Sequence, residues 1–308
     1  MSDPRVLTQS ELSTWLRCRR KWWLGYYRKL RRKRYEGAPL SIGNLVHYGL
    51  EAWYRPSDRR HPSDAIRAKC EEMLGQYPDS TNDILDCAEL AGIMVEGYME
   101  WLEAEGPDSD LEVVGAETPV EVQIGAYRLR GKIDAPVVRR SDSLRLQLEH
   151  KTAQNLTDIP KTAQTNFQFL TYDLLAYLAA RQLEPGIHRT DGIIVNMLRK
   201  VKRTARAKPP FYGRHEVRHN TDELRNHWRH VLAIARETDA AAARLDAGEP
   251  HQHVVPPTPM RNCSFDCSFY AVCGAGMFDD GSDVEGMLAS AYELHDPLER
   301  YAEGTEEE

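Results

Sequence analysis

The chain has 308 residues, of which 41% are hydrophobic and 28% charged, a composition typical of a soluble globular protein. No apolar run approaches the ~20 residues that span a membrane, and no apolar signal segment opens the sequence, so we expect a cytoplasmic protein without a membrane partner. The net charge of −7 is segregated: residues 1–34 hold eleven Lys and Arg against two acidic residues, and residues 275–308 hold eleven acidic residues against Arg300. The basic run keeps a polyanionic partner possible despite the acidic total.

The sequence of residues 1–60 predicts helices rich in basic and aromatic side chains. Thr8-x-x-Glu11 is a capping box, and residues 17–34 carry ten basic residues and no acidic one, interleaved with Trp and Tyr. Arginine binds phosphate and aromatic rings stack on unpaired bases, so this run favours nucleic acid. The alternative is a solvated basic face over a tryptophan core. A second amphipathic helix, over 41–53, carries His47, which taken alone is more often a core histidine than a ligand.

Residues 61–107 predict a helical insertion, with helices over 64–77 and 82–104. After Gly106-Pro107 the hydrophobic period becomes that of strands, first over 111–124 and then in a half-buried hairpin over 127–151. Asp134 closes the first hairpin strand and Glu149 nearly closes the second, so antiparallel pairing brings two carboxylates to one end of the sheet. Lys151 leaves the second strand on the same face as Glu149.

Two carboxylates and a lysine suit a Mg²⁺ or Mn²⁺ site at which a bound water attacks a phosphate. The alternative is a surface hairpin with an ordinary Glu–Lys pair. Glu117, on the preceding strand, either supports the metal site or faces solvent.

The C-terminal half predicts further elements. A helix over 159–183 places Gln168 and Tyr172 on one face, and a buried strand covers 191–198. A second basic loop follows over 199–208, and Asn220-x-x-Glu223 caps a long helix that ends at Gly248. The acidic end, 275–308, is predicted to be a disordered tail. The predicted segments are therefore 1–60, 61–107, a catalytic core over 108–200, a basic loop, long helix and cysteine-rich segment over 201–274, and the tail.

Cys263, Cys267 and Cys273 lie within eleven residues. In an intracellular protein such clustering indicates metal ligation, with Cys18 as the best candidate for a fourth ligand. Four cysteines suit an iron–sulfur cluster or a structural zinc, and zinc could instead recruit His251 or His253. Unpaired buried thiols are the remaining alternative.

Taken together, these motifs resemble the PD-(D/E)xK nuclease superfamily, and within it the RecB-type exonucleases that include AddB, the CRISPR-associated adaptation exonucleases and phage relatives. The matches, in the family's order, are Gly43-x-x-x-His47-x-x-Leu50-Glu51, Gly131-Lys132-Ile133-Asp134, Glu149-His150-Lys151, Gln168-x-x-x-Tyr172 and the one-plus-three cysteines. One departure is the spacing of Cys263 and Cys267, which are separated by three residues where this branch usually has two.

The resemblance implies a restriction-endonuclease-like α/β (α+β) fold: a mixed central sheet flanked by helices, with a helical insertion and a C-terminal cysteine-rich clip. It also implies roles for particular residues. His47, Asp134, Glu149 and the backbone carbonyl of His150 would bind Mg²⁺ or Mn²⁺, and Lys151 would orient the water. Gln168 and Tyr172 would contact DNA. Cys18, Cys263, Cys267 and Cys273 would hold a 4Fe–4S cluster, with zinc as the alternative because the spacing departs.

We therefore expect a metal-dependent DNA exonuclease whose catalytic residues are Asp134, Glu149 and Lys151. No Gly-x-x-x-x-Gly-Lys-Ser/Thr helicase loop is present, so it should prefer single strands or ends, or act with a helicase, recombination or CRISPR partner. The basic residues expected to bind DNA are Arg19, Arg20, Lys21, Lys200, Lys202 and Arg203. The alternatives are a catalytically weak DNA-end-binding or recombination accessory protein with a structural zinc or iron–sulfur site, and a zinc-stabilised protein that binds or cleaves RNA.

Overall fold

The computed structural model describes residues 3–33, 38–183, 190–278 and 281–301. The chain forms two compact units: unit 1 comprises Met1–Glu36, Gln123–Arg130 and Arg225–Glu308, and unit 2 comprises Gly37–Val122 and Gly131–Leu224. The predicted N-terminal segment 1–60 is thus divided, with Cys18 in unit 1 and His47 in unit 2.

Twelve α-helices and ten strands lie within these described ranges. The helices are α1 (Gln9–Arg17), α2 (Arg19–Trp22), α3 (Ala38–Tyr54), α4 (Pro62–Gln76), α5 (Thr81–Glu105), α6 (Asp158–Thr162), α7 (Phe167–Gln182), α8 (Thr221–Asp246), α9 (His251–Val254), α10 (Cys263–Asp266), α11 (Tyr270–Phe278) and α12 (Val284–Ala291). The strands are β1 (Val6–Thr8), β2 (Leu30–Arg32), β3 (Leu111–Val113), β4 (Thr118–Ile124), β5 (Tyr127–Ile133), β6 (Ala135–Arg139), β7 (Arg145–Ala153), β8 (Ile193–Arg199), β9 (Tyr212–Val217) and β10 (Tyr292–Leu294). None of the described helices combines the length and apolar character needed to cross a bilayer.

Unit 2 is built on a five-stranded sheet in the order β3-β6-β7-β8-β9. β7 and β8 run parallel and the other neighbours antiparallel, so the sheet is mixed. Residues 193–198 of the inner strand β8 are all buried, as an apolar strand covered on both faces should be. α3 contacts β7 and α5 contacts β8. The predicted fold class, a mixed central sheet flanked by helices, is confirmed.

The predicted hairpin over 127–151 is formed by β6 and β7, with Ala135 opposite Leu148 and Val138 opposite Arg145. The stretch before it is a separate strand, β5, because the chain bends at Asp134. The single helix predicted over 159–183 is also broken. Asn166 ends the first part and caps α7, since its Oδ1 accepts the N–H groups of Gln168 at 2.9 Å and Phe169 at 3.3 Å.

Unit 1 contains the start of the chain and its acidic end. Thr8 caps α1 by accepting the Glu11 N–H at 3.2 Å, as the capping box predicted. β1 pairs in parallel with the part of β5 in this unit, with Val6 opposite Arg128 and Thr8 opposite Arg130.

The prediction of a disordered acidic tail is wrong for residues 281–301. There α12 and β10 form, and β10 pairs antiparallel with the basic strand β2. The physical reason is charge pairing, since Arg31 binds Glu293 at 2.8 Å and Arg28 binds Glu285 at 2.7 Å. Each partner neutralises charge that would otherwise keep its own segment solvated. The rest of that predicted tail beyond α11, 279–280 and 302–308, lies outside the described residues.

Candidate active site

Three side chains of unit 2 converge at one end of the sheet. His47 comes from α3, Glu117 from the turn before β4, and Asp134 from the bend between β5 and β6. One ligand atom of each lies within 4.8 Å of the other two, and His47 Nδ1 is 3.4 Å from Asp134 Oδ2. One imidazole nitrogen and two carboxylate oxygens are donors that suit a divalent cation such as Mn²⁺ or Mg²⁺. The donor set therefore fits the metal that the sequence predicted here.

Backbone hydrogen bonds hold the two carboxylates of this group in place. The Glu117 N–H donates to the Asp134 carbonyl at 2.8 Å, and Glu117 has a φ of 45°, a left-handed conformation that side-chain-bearing residues seldom adopt. Asp134 Oδ2 in turn accepts the His150 N–H at 2.8 Å. Strained conformations of this kind cluster at functional sites, and here the strain brings Glu117 beside Asp134.

The electrostatics of the group favour a bound cation. Burial raises the pKa of Glu117 to about 7, and the negative charges of Asp134 and Glu51 add to that effect. Burial also acts to raise the pKa of Asp134, but His47 and Lys151 outweigh it and hold that pKa well below its usual range. For His47, burial lowers the pKa, and the neighbouring Asp134 more than compensates and raises it. Two closely spaced carboxylates repel each other, and a divalent ion between them relieves that repulsion.

Glu149, Lys151 and Gln168, all predicted site residues, lie together beside this group. Lys151 Nζ is 2.5 Å from Glu149 Oε1, and Gln168 Nε2 donates to the same oxygen at 3.0 Å. Glu149 is only 2% exposed, so burial, together with the charge of Asp134, raises its pKa to about 7. The carboxylate that lies within 4.8 Å of both His47 and Asp134 is that of Glu117. Glu149, the predicted ligand, does not belong to this group of three.

The ring of His150 enters a buried polar network that the sequence did not reveal. Its Nδ1 accepts a hydrogen bond from Asn196 Nδ2 at 3.0 Å, and the ring stacks on Tyr54 at 5.3 Å. Asn196 Oδ1 accepts from Arg214 Nε at 3.2 Å, and Arg214 also forms an ion pair with Asp108. Burial lowers the pKa of His150 to about 3, so the ring is neutral. The one available signal was an asparagine inside an otherwise apolar strand.

The three predicted DNA contacts of the first basic run, Arg19, Arg20 and Lys21, differ in how exposed they are. Arg20 is only 5% exposed, its Nε donates to the Val255 carbonyl at 3.0 Å, and its guanidinium lies over Trp23. The Arg20 guanidinium is therefore used inside unit 1, and its contact with phosphate stays a prediction. Arg19 stays half exposed, 5.0 Å above the Trp15 ring. Lys21 is half-buried.

In unit 2 the other predicted contacts are Tyr172, Lys200, Lys202 and Arg203. Tyr172 is 8% exposed and packs below Gly131, where a Cβ would lie 3.5 Å from its ring. Lys202 binds Glu89 at 2.7 Å, and Arg203 forms an ion pair with Glu100. The backbone N–H of Lys200 donates to the Ala153 carbonyl at 2.8 Å, directly after β7.

The four predicted cysteine ligands lie in unit 1, all half-buried and none in a disulfide. Burial raises the pKa of Cys273, which also feels the charges of Arg20 and of the other three thiols. Backbone N–H groups approach two sulfurs, that of Thr258 at 3.4 Å from Cys18 Sγ and that of Met260 at 3.2 Å from Cys263 Sγ.

The alternative zinc ligands His251 and His253 both lie in α9. The His251 ring stacks on Trp23 at 4.3 Å.

Comparison with known proteins gives one family match. The family model of the PD-(D/E)XK nuclease superfamily matches residues 6–274. No curated protein matches the sequence. Among solved structures, the chain is similar to the crystal structure of SSO0001, at 15% identity and a TM-score of 0.34 over 78% of each chain. It is also similar to a protein from Eubacterium rectale named "Putative exonuclease", at 8% identity and a TM-score of 0.46 over 85% of this chain and 93% of that one. Similarities this low do not bear on activity.

Proposed function

Because the chain belongs to the PD-(D/E)XK nuclease superfamily, we propose that it is a DNA exonuclease that uses Mg²⁺ or Mn²⁺ to hydrolyse phosphodiester bonds with water. The observation that carries this proposal is the group of His47, Glu117 and Asp134, with ligand atoms within 4.8 Å of one another beside the Glu149–Lys151 pair. A cation at this site would lower the pKa of a bound water, and the adjacent buried carboxylate and lysine could orient that water and accept its proton.

The metal would be held by His47, Glu117 and Asp134, with Glu149 and the His150 carbonyl as further ligands. A bound divalent ion supplies Lewis acidity, which lowers the pKa of water and neutralises charge on the phosphate. The His150 N–H keeps Asp134 oriented for this role, since it already occupies Oδ2 of that carboxylate. Asn196 holds the His150 ring by a hydrogen bond and would thereby help to keep the His150 N–H directed at Asp134.

Lys151 would orient the attacking water and stabilise negative charge that develops on the phosphate. Its ammonium lies 2.5 Å from Glu149 Oε1 and 5.8 Å from the centre of the Phe169 ring, so it is positioned by both. Gln168 donates to the same Glu149 oxygen and would be a positioning residue for this pair. Tyr172, packed below Gly131, would line the scissile region.

The substrate we propose is single-stranded DNA or a DNA end. Residues 199–208 contain six Lys and Arg and no acidic residue, and this loop leaves β8 beside Ala153, the last residue of the strand that carries Glu149 and Lys151. Basic side chains bind the phosphate backbone without regard to sequence. A separate helicase or recombination partner would open duplex DNA for this enzyme. The process would be recombination, repair or CRISPR-type DNA processing.

The function is tested with end-labelled single-stranded DNA, and with RNA of the same sequence, incubated in Mn²⁺ or in EDTA. We expect the DNA to be shortened from an end only when Mn²⁺ is present, with RNA left intact. Internal fragments would make the enzyme an endonuclease. Intact DNA that is nevertheless bound would instead support the accessory-protein alternative and contradict catalysis.

We also propose that Cys18, Cys263, Cys267 and Cys273 hold a 4Fe–4S cluster. The support is that Cys273 lies near enough to the other three thiols to interact with them electrostatically, and that backbone N–H groups contact the sulfurs of Cys18 and Cys263. Such N–H···S contacts are among the features that set the reduction potential of a cluster. Arg20, buried in this region, offsets the negative charge of the thiolates.

A further inference from the structure

Unit 2 contains an aromatic cleft of about 410 Å³ between the C-terminal half of α5 and the segment that leads into β9. This volume is within the range of pockets that hold small organic groups. The rings that line it are those of Trp101, Phe211 and Tyr212, with Pro209, Pro210 and Arg203 at the edge. None of these aromatic residues has a part in the site described above.

The rings of this cleft are held in fixed positions. The Trp101 and Tyr212 ring centres are 6.0 Å apart, and the Tyr212 hydroxyl donates to the Met94 carbonyl at 3.0 Å. Gly97 makes this approach possible, because a Cβ there would lie 2.3 Å from both the Tyr212 hydroxyl and Arg203 Nη1. The Arg203 guanidinium lies 5.8 Å from the Phe211 ring centre. A fixed aromatic surface binds another flat ring at low entropic cost.

Strand register places the cleft at the catalytic end of the sheet. Tyr212 of β9 pairs with Leu198 of β8, and Leu198 pairs with Thr152 of β7, which directly follows Lys151. At ~4.8 Å between neighbouring strands, Tyr212 is about 10 Å across the sheet from Thr152. The basic loop 199–208 connects the two places, since it leaves β8 beside Ala153 and returns at the cleft.

The charges around the cleft favour an uncharged aromatic occupant. Glu100 and Glu105 contribute to its lining and would repel a phosphate, and Arg203 is already paired with Glu100. Carboxylates accept hydrogen bonds from the exocyclic amino groups of bases. Arg206 and Lys208, on the same loop, are exposed and suit the adjacent phosphates. An aromatic slot flanked by exposed cations is the usual arrangement for binding single-stranded nucleic acid.

We propose that this cleft binds one unpaired nucleobase of the DNA strand whose phosphate lies at the metal site, by stacking the base on Trp101. This inference rests on the proposed nuclease function and adds a subsite to it. The subsite would hold the strand in register within a few nucleotides of the scissile bond, and would require that part of the substrate to be single-stranded.

The test combines a change in the DNA with a change in the protein. Affinities are measured in EDTA, where no cleavage occurs, by fluorescence anisotropy with short single-stranded oligonucleotides that each lack the base at one position. For the unaltered chain we expect binding to weaken by about tenfold at one position or two adjacent positions, since stacking of one base on an aromatic side chain contributes about that much. The Trp101→Ala variant should bind all of these oligonucleotides with equal affinity, whichever base is missing.

Tyr177→Ala is the matched control. Tyr177 lies on α7 in the same unit, carries Arg181 3.5 Å above its ring, and does not line the cleft. This variant should keep the positional profile. If Trp101→Ala fails to fold, Phe211→Ala should flatten the profile in its place. A flat profile for the unaltered chain, or a profile that survives in the cleft variants, would overturn the subsite. Metal-dependent cleavage of unmodified DNA would survive that result, so the nuclease proposal is judged separately.

Discussion

Replacement of Lys151 by alanine is expected to lower the rate of DNA cleavage by about 10³-fold, within the range that positioned proton-transfer groups contribute. The ammonium is the only cation hydrogen-bonded to Glu149 among the described residues, and it lies at 2.5 Å. In the proposed mechanism, its loss would deprive the attacking water of an orienting donor and the developing phosphate charge of a neighbouring cation. DNA binding in the absence of divalent metal should be retained, because the basic loop 199–208 is unchanged.

The matched control for this variant is Lys161→Ala. Lys161 lies exposed on α6 and pairs with Asp158 at 3.0 Å, so its loss removes an equal charge from the same unit without touching the site. Its cleavage rate should equal that of the unaltered chain. A Lys151→Ala protein that cleaves DNA as fast as Lys161→Ala would show that another group performs this role.

Replacement of Cys273 by serine is expected to remove the iron from protein purified without oxygen. The unaltered chain should carry about four iron atoms and absorb in the visible range. A cluster that joins Cys18 to Cys263–Cys273 closes a loop of most of the chain, and chain-entropy models give such a closure on the order of 5 kcal/mol. Loss of the cluster should therefore lower the Tm by about 10 °C or more.

Cys70→Ser is the control for this prediction. Cys70 is buried in α4, in the other unit, and should not influence iron content. A colourless unaltered chain with one zinc ion would contradict the cluster while keeping a metal at these cysteines. Full iron content in Cys273→Ser would contradict the assignment of the ligand itself.

The sequence predicted those elements that are stabilised by residues close to them in the chain. The Thr8 cap, the buried strand β8 and the β6–β7 hairpin follow from side-chain period and capping chemistry that act within a few residues. Asn220 and Glu223 exchange hydrogen bonds at 2.7 and 3.0 Å at the start of α8, as the capping box requires. The same reasoning made Asp134 the end of the first hairpin strand, whereas Asp134 lies at the bend before β6 and β5 belongs to another sheet.

Sequence patterns leave the outcome open where distant residues decide it. The sequence left open whether Glu117 supports the metal site or faces solvent, and it joins the metal group because its left-handed backbone docks on Asp134. Arg20 is buried because the Val255 carbonyl, far along the chain, accepts its guanidinium. The acidic end is ordered because arginines from the start of the chain pair with it. A charged residue in a sequence gives no sign of whether its partner will be solvent, a phosphate or another side chain.

The most direct measurement concerns the central claim, that His47, Glu117 and Asp134 together hold a divalent ion. Mn²⁺ is titrated into the whole chain while electron paramagnetic resonance reports the free ion. We expect saturable binding that weakens by more than about 100-fold in Asp134→Asn, since loss of a direct ligand should exceed the 10- to 100-fold cost of losing an outer one. Asp142→Asn, at an exposed carboxylate paired with Arg139, should bind as the unaltered chain does. Equal Mn²⁺ affinity in the Asp134 and Asp142 variants would contradict the account.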